Sequence, residues 1–297
     1  MKRTGPDKAF NEYVDLMVAA ALAEDVGEAD VTTRAVVGRK VTGEAVIVAK
    51  EACVVAGLFL ARRVFETVDK KLKISIEAAE GQAVKKGAVI ATVSGSLASM
   101  LTAERVALNF LQRLCGIATL TAAYVRKAGG RARILDTRKT TPCMRPLERY
   151  AVKVAGGENH RMGLFDAVLI KDNHIKAAGS VSAALAAVRK NYRGKGFIEV
   201  EVTNLTEVAE AVAALPVPDI IMLDNMGLKQ IKKAVVMIAG CAEVEVSGGV
   251  TLDTIDAIAA CGVDRISVGS LTHSARSMDI SMEVVSVCRQ KTEPRLR

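Results

Sequence analysis

The chain has no tryptophan, and its aromatic residues are only four tyrosines and six phenylalanines among 297 positions. Proteins that grip single-stranded nucleic acid stack bases on exposed aromatic rings. That class is therefore disfavoured in spite of a formal net charge of +8, and no long Lys/Arg tract is present. The six cysteines (Cys53, Cys115, Cys143, Cys241, Cys261, Cys288) form no C-x-x-C pair. This argues against zinc or a disulfide framework and for reduced, mostly buried thiols in a cytoplasmic protein. No uninterrupted apolar run reaches the ~18 residues of a membrane span, and the opening residues do not read as a charged-then-apolar leader. Neither G-x-S-x-G nor a zinc-ligand spacing occurs, and Cys143 follows Pro142 with no evident base.

What is present is a large apolar fraction, 50% of residues, enough to bury one large or two modest cores. Residues 11–24 read as an amphipathic helix, followed by the turn-rich Asp30-Val31-Thr32-Thr33. Strand-like runs at 42–50, 72–79 and 87–94, with a helix near 57–68, are joined by short polar turns and predict an antiparallel sheet. A long helix spans 103–127. Arg105, Asn109, Gln112 and Arg113 form a polar stripe along it, either facing a site or subunit interface or lying on an ordinary surface.

From residue 131 the pattern changes. Strand candidates at 132–136, 166–170, 197–202, 219–223, 243–247 and 264–268 alternate with helices near 147–155, 180–191, 204–214, 227–239 and 251–261. Such alternation predicts a parallel sheet with helical crossovers. Each strand runs into charged, hydroxyl or glycine residues: Asp136-Thr137-Arg138-Lys139, Lys171-Asp172-Asn173-His174, Glu199 with Glu201, Asp224-Asn225, Ser247-Gly248-Gly249 and Gly269-Ser270. Polar residues at the carboxyl end of every strand fit the rim of a (β/α) barrel, where side chains from all strands converge. An open sheet would concentrate them at one switch point. Six units fall short of eight, so an incomplete barrel is expected.

Residues 131–176 carry ten Lys and Arg residues and two of the three histidines. Cations gathered near turns repel one another unless an anion joins them, which points to a multiply charged small molecule. A solvated basic surface is the alternative. The two glycine turns closing the last strands let backbone N–H groups approach a phosphate. Glu199 and Glu201 share one strand face. Pointing inward, they could meet Lys139, Lys171 or, with Asp224, a metal ion; a structural ion-pair network is the alternative. The loop Gly156–Arg161 reads as flexible and offers His160 and Arg161, His160 being open to a purely structural role. His174 could simply pin its loop. His273 could line the phosphate site or cap a helix. Lys171 is conceivable as a Schiff-base lysine.

Six runs in order resemble quinolinate phosphoribosyltransferase: Asp136-Thr-Arg-Lys-Thr-Thr-Pro142, Gly157-Glu-Asn-His-Arg-Met-Gly163, Leu169-Ile-Lys-Asp-Asn-His-Ile175, Glu199-Val-Glu201, Leu223-Asp-Asn225 and Val246-Ser-Gly-Gly249. The resemblance covers nearly the whole chain. A molybdenum-transport-associated protein shares much of this framework, but the complete Arg138-Lys139 and His160-Arg161 pairs favour the enzyme. Glu28-Ala29 departs from a glycine-containing turn common in the family and touches no proposed site residue.

The resemblance implies an amino-terminal α/β sandwich over residues 1–114, with 276–297 packing back on it, and an incomplete TIM-like barrel over 115–275. It implies a cytoplasmic, Mg²⁺-using homodimer that contacts neither nucleic acid nor membrane. The implied reaction, in NAD biosynthesis, converts quinolinate and phosphoribosyl pyrophosphate to nicotinate mononucleotide, pyrophosphate and CO₂. By the same resemblance, Arg138, His160, Arg161 and Lys171 would bind quinolinate, with Arg105 reaching in from the partner subunit. Lys139, Lys171, Glu201 and Asp224 would serve catalysis, Glu201 and Asp224 also meeting the metal. Ser247, Gly248, Gly249, Gly269, Ser270 and His273 would hold the ribose phosphate. Two other readings remain open on the residues alone, an oxyanion-binding accessory protein and a Schiff-base aldolase.

Overall fold

The computed structural model describes residues 8–38 and 40–289. Contacts divide the chain into two units, one running to Thr119 and resuming at Ala275, the other Leu120–Ser274. The elements are, in order, α1 (Lys8–Val26), α2 (Val31–Val36), β1 (Val41–Ala49), β2 (Cys53–Val54), α3 (Leu58–Val68), β3 (Lys73–Ile76), β4 (Ala83–Val84), β5 (Val89–Ser96) and α4 (Leu97–Ala128). The second unit continues with β6 (Arg133–Leu135), α5 (Arg145–Val154), β7 (Val168–Ile170), α6 (Asp172–Ala178), α7 (Val181–Asn191), β8 (Ile198–Val202), α8 (Leu205–Ala213), β9 (Ile220–Asp224), α9 (Leu228–Ile238), β10 (Glu243–Ser247), α10 (Ile255–Ala259), β11 (Arg265–Ser267) and α11 (Ser270–His273). The chain then returns to the first unit as β12 (Ile280–Arg289).

The first unit holds an antiparallel sheet in the order β12-β1-β5-β3. β12 pairs with β1 from Val41↔Arg289 to Ala49↔Ile280, across a bulge at Glu44/Ala45. This strand was not among the sequence candidates. The turn expected at Asp30–Thr33 is instead the start of α2. The Asp30 carboxylate accepts the Thr33 N–H at 2.9 Å, satisfying a donor that the helix itself leaves open. The stripe on α4 divides. Arg105 and Asn109 are exposed. Gln112 Nε2 donates to Ile280 O at 2.9 Å and Arg113 Nη1 to Ala275 O at 2.7 Å, so both fasten the returning chain. Gly116 permits that return, since a Cβ there would lie 1.9 Å from Arg276 O.

By length and composition α4 could cross a membrane, yet 61% of its most apolar window is buried inside the protein. Leu111, Leu114 and Ile117 are fully buried. Burying a side chain of this kind contributes about 1.5–3 kcal/mol, and the helix is apolar because it is core. All six cysteines are free, three buried (Cys53, Cys115, Cys261) and three exposed (Cys143, Cys241, Cys288), so fewer are buried than expected.

The second unit's sheet is parallel, in the order β6-β11-β10-β9-β8-β7. Strands β7 to β11 lie side by side in chain order, and the first strand pairs with the last. A doubly wound sheet would reverse direction from its middle; this order is that of a barrel left unsealed between β6 and β7. Glu158 forms a parallel bridge with Leu135 on the β6 side of that opening. Val200, Val202, Ile221 and Leu223 are fully buried. In β8, Val200 and Val202 alternate with Glu199 and Glu201, and in β10 the buried Val244 and Val246 flank Glu245; all three glutamates are themselves buried. With period two, one face of these strands packs on helices and the other is carboxylate-lined.

Candidate active site

A cleft of about 560 Å³ opens at the carboxyl end of the second unit's strands. Arg138 and Lys139 follow β6, Lys171 follows β7, Glu201 lies in β8 and Asp224 ends β9. Ser247 ends β10 and Gly248 and Gly249 follow it, and Gly269, Ser270 and His273 follow β11; His160 and Arg161 arrive from the segment after α5. The cleft is thus lined by every predicted site residue except Arg105, which is exposed on α4.

The 156–161 segment is not the loose loop its glycines predicted. Glu158 N–H donates to Ile134 O at 2.7 Å, Asp136 N–H to Glu158 O at 3.2 Å, and His160 N–H to the buried Asp136 carboxylate at 2.9 Å. His160 and Arg161 are consequently only 6% and 7% exposed.

Helix α5 holds both cationic segments from one face, with Arg145, Glu148 and Arg149 at i, i+3 and i+4. Arg145 donates to Thr140 Oγ1 at 2.9 Å, to Met162 O at 2.9 Å and to Arg138 O at 3.3 Å. Glu148 accepts from Thr141 N–H at 3.1 Å and from Thr141 Oγ1 at 2.8 Å. Arg149 Nη1 donates to His160 O at 2.6 Å and Arg161 O at 3.2 Å, and lies 3.5 Å from Asp136 Oδ1. Sequence reading missed these residues. The R-P-L-E-R run that starts the helix was the available signal.

The electrostatics are those of a site built for an anion. Arg138 Nε and Arg161 Nε are buried without a hydrogen-bond partner. Burial, and then the neighbouring Arg138 charge, lower the Arg161 pKa. Two guanidiniums this close favour a shared carboxylate or phosphate, for which their fork is matched. Lys171 Nζ donates to Glu201 Oε2. That ion pair engages the Lys171 amine, an arrangement unlike a free Schiff-base nucleophile. His174 Nδ1 accepts the Lys171 N–H at 2.9 Å and so pins the loop.

His160 is more enclosed than expected. Its Nε2 lies 3.0 Å from Glu199 Oε2 and 3.5 Å from Glu245 Oε1, while Nδ1 accepts the Arg161 N–H at 2.8 Å. Burial opposes a charged ring, but the two carboxylates outweigh it and raise the pKa to about 9. The Arg161 N–H against Nδ1 limits that rise, because Nδ1 must remain unprotonated to accept it. Glu199 therefore faces inward as the strand pattern predicted, but meets His160 rather than Lys139 or Lys171. The ligand atoms of His160, Glu199 and Glu245 all lie within 4.8 Å of one another. Glu245 was not a sequence candidate.

The opposite end of the constellation is a backbone cradle. Gly248 has φ +83°, and a Cβ on it would stand 2.3 Å from Asn225 Oδ1; Gly249 has φ +61°. Only glycine adopts these angles without strain. Asn225 Nδ2 donates to Asp224 Oδ2 at 2.7 Å. Thr272 Oγ1 anchors Lys139 O at 2.8 Å, and His273 Nδ1 lies 2.6 Å from Ser274 Oγ.

A parallel β/α barrel with cations and a glycine cradle at its carboxyl rim defines a protein that handles a small polyanion there. The sequence says which kind. A model of the amino-terminal domain of quinolinate phosphoribosyl transferases matches residues 30–115, and one of their carboxy-terminal domain matches 117–283. A probable nicotinate-nucleotide pyrophosphorylase (carboxylating) of Synechocystis is 46% identical over 92% of either chain. The crystal structure of NadC from Streptococcus pyogenes superposes with a TM-score of 0.90 at 44% identity, covering 95% of this chain and 99% of that one. The nicotinate-nucleotide pyrophosphorylase of Francisella tularensis gives 0.88 at 40%, covering 92% and 96%. The chain belongs to the quinolinate phosphoribosyl transferase family.

Proposed function

We propose that the protein joins quinolinate to the anomeric carbon of phosphoribosyl pyrophosphate, releasing pyrophosphate and CO₂ and leaving nicotinate mononucleotide for NAD biosynthesis. The observation that carries this reading is the pair of unpartnered guanidinium nitrogens on Arg138 and Arg161, in the same cleft as the Gly248–Gly249 cradle. One end suits a dicarboxylate and the other a phosphate ester.

Arg138, Arg161 and Lys171 hold the two carboxylates, and His160 sets the Arg161 segment through the N–H that its Nδ1 accepts. Ser247, Gly248, Gly249, Gly269, Ser270 and His273 receive the 5-phosphate. Lys139 faces the pyrophosphate. As pyrophosphate departs, the ribosyl centre gains oxocarbenium character, which the Glu201 carboxylate stabilises; Asp224 meets the ribose hydroxyls. The pyridine nitrogen then attacks, the resulting pyridinium stabilises the carbanion left when the adjacent carboxylate departs as CO₂, and a proton from solvent at that carbon completes nicotinate mononucleotide. The protein's contribution is positioning and fixed charge.

In this reading Asp224, and Glu201 through the carboxylate oxygen that Lys171 does not engage, would hold a Mg²⁺ ion, which takes one or two carboxylates and draws its remaining ligands from water and phosphate oxygens. Bound there, Mg²⁺ would neutralise charge on the pyrophosphate. In the same reading Arg105, exposed on α4, completes the carboxylate site of the partner in a homodimer. The same reading makes the protein cytoplasmic and assigns its positive charge to small anions rather than nucleic acid or membrane. The test is release of CO₂ from carboxyl-labelled quinolinate, dependent on phosphoribosyl pyrophosphate and Mg²⁺. Folded protein with both substrates and Mg²⁺ but no turnover would defeat the assignment.

A further inference from the structure

Barrel interiors are ordinarily filled by branched apolar side chains. Here Glu199 and Glu245 are wholly buried within the second unit, on strands that flank β9. Neither lines the cleft. Arg265 Nε lies 2.7 Å from Glu245 Oε2, and Ser267 Oγ donates to Glu245 Oε1. The Arg265 guanidinium stands 5.7 Å from the Phe197 ring centroid, and that ring meets the His160 imidazole edge-on at 5.8 Å. A connected set of buried groups thus runs from Arg265 through Glu245 and Glu199 to His160, ending where the His160 Nδ1 accepts the Arg161 N–H.

Such a set is a poor way to stabilise a fold. Buried ions lose their hydration, and apolar residues of similar volume commonly do as well or better. What they supply is direction: an imidazole whose Nε2 faces two buried carboxylates, one of them held by Arg265 and Ser267, has one orientation. We propose that Glu199 and Glu245 are positioning residues, clamping His160 from the barrel interior so that the Arg161 backbone and guanidinium are set for an acidic substrate. This rests on the assignment of Arg161 to quinolinate. A divalent ion among the same three ligands is the competing use. It fits less well, because Arg265 already balances Glu245 and would repel a second cation.

The experiment uses the full-length protein, with quinolinate binding by calorimetry and steady-state kinetics. Glu199→Gln and Glu245→Gln are expected to weaken quinolinate roughly tenfold, the scale on which lost orienting partners act. KM for phosphoribosyl pyrophosphate should stay within about twofold. Because both act through the imidazole, Glu245→Gln combined with His160→Ala should bind no more weakly than His160→Ala alone. Unchanged quinolinate affinity in both glutamine variants, or losses that multiply in the double variant, would overturn the proposal. So would one Mn²⁺ or Zn²⁺ bound per chain and lost in Glu245→Gln. Nitrogen-15 NMR of wild-type His160 decides if a glutamine variant does not fold or wild type fails to bind quinolinate. A slowly exchanging Nε2–H supports the clamp, and an unprotonated or freely exchanging Nε2 refutes it. Failure of wild type to bind quinolinate counts against the substrate assignment, whereas normal wild-type binding with indifferent variants counts against the clamp alone.

Discussion

Lys171 and Glu201 meet in a hydrogen-bonded ion pair across neighbouring parallel strand ends, the lysine side chain 45% exposed to the cleft and the glutamate 10%. The pair joins the two halves of the proposed chemistry, since Lys171 belongs to the carboxylate end and Glu201 to the ribosyl end. Glu201→Gln keeps the shape and removes the charge. The expected loss is roughly 10²–10³ in kcat, as when one preorganised partner of transition-state charge is lost. Unfolding free energy should stay within about 1 kcal/mol, because a pair open to water on one side is worth little to stability. A kcat within threefold of wild type would remove Glu201 from the chemistry.

Arg138 and Arg161 should separate by their secondary contacts. Both present an unpartnered Nε, but Arg161 Nη1 also donates to Ala167 O at 3.1 Å. Arg138→Ala should raise KM for quinolinate roughly 10–100-fold, the equivalent of about 1.5–3 kcal/mol for a charge-assisted bond. Its melting temperature should barely move. Arg161→Ala should weaken quinolinate comparably and also lower the melting temperature. Kinetics and thermal unfolding on the two variants distinguish these outcomes.

Gly248 tests the cradle through backbone geometry. At φ +83°, with Asn225 Oδ1 only 2.3 Å from any added Cβ, Gly248→Ala must strain the turn or displace Asn225. A cost of about 1–3 kcal/mol is expected. KM for phosphoribosyl pyrophosphate should rise while quinolinate binding is spared. Equal damage to both substrates would mean that the turn supports the whole rim rather than one phosphate.

Asp136 gives a pH signature. Burial raises its pKa from 3.8 to about 6 in the folded protein, although the Arg149 charge and the His160 N–H oppose the shift. The native state therefore holds the proton more tightly than the unfolded chain. The stability this confers is complete below about pH 3.8 and is lost as pH rises towards 6. Two pKa units correspond to roughly 3 kcal/mol. The stability of wild type relative to Asp136→Asn should fall by about that amount between pH 4 and 7, measured by denaturant unfolding. A difference independent of pH would place the titration elsewhere.

Much of the rim was legible because each strand is a short Ile/Val run that ends abruptly in charge or glycine. Strand order in the barrel follows chain order, so consecutive motifs become neighbours. Less visible were features made by meetings distant in sequence. Glu245 sits in E-V-E-V, a run that alternates like any half-exposed strand, and only the barrel shows that its face is interior. Gln112 and Arg113 looked like part of one stripe with Arg105 because helical spacing does not reveal which face a returning segment will cover. α2 was read as a turn because Asp-Val-Thr-Thr suits both a turn and a helix start, and the Asp30 cap on the Thr33 N–H decides. β12 has strand-like alternation, but its partner lies more than two hundred residues upstream.

The brace on α5 was the largest omission, and it can be tested as a unit. Arg149 reaches two carbonyls, His160 O and Arg161 O, while its charge stands beside the buried Asp136. Arg149→Met should remove about 3 kcal/mol of stability, because it leaves a buried carboxylate and two carbonyls without their cation. It should also weaken quinolinate, although Arg149 does not line the cleft. Adding Asp136→Asn removes the stranded charge, so the double variant should recover part of the stability. It should not recover binding, because the carbonyls that fix His160 and Arg161 still lack their donor. If stability and binding returned together, the carboxylate alone would have been responsible, and the helix would not position the site.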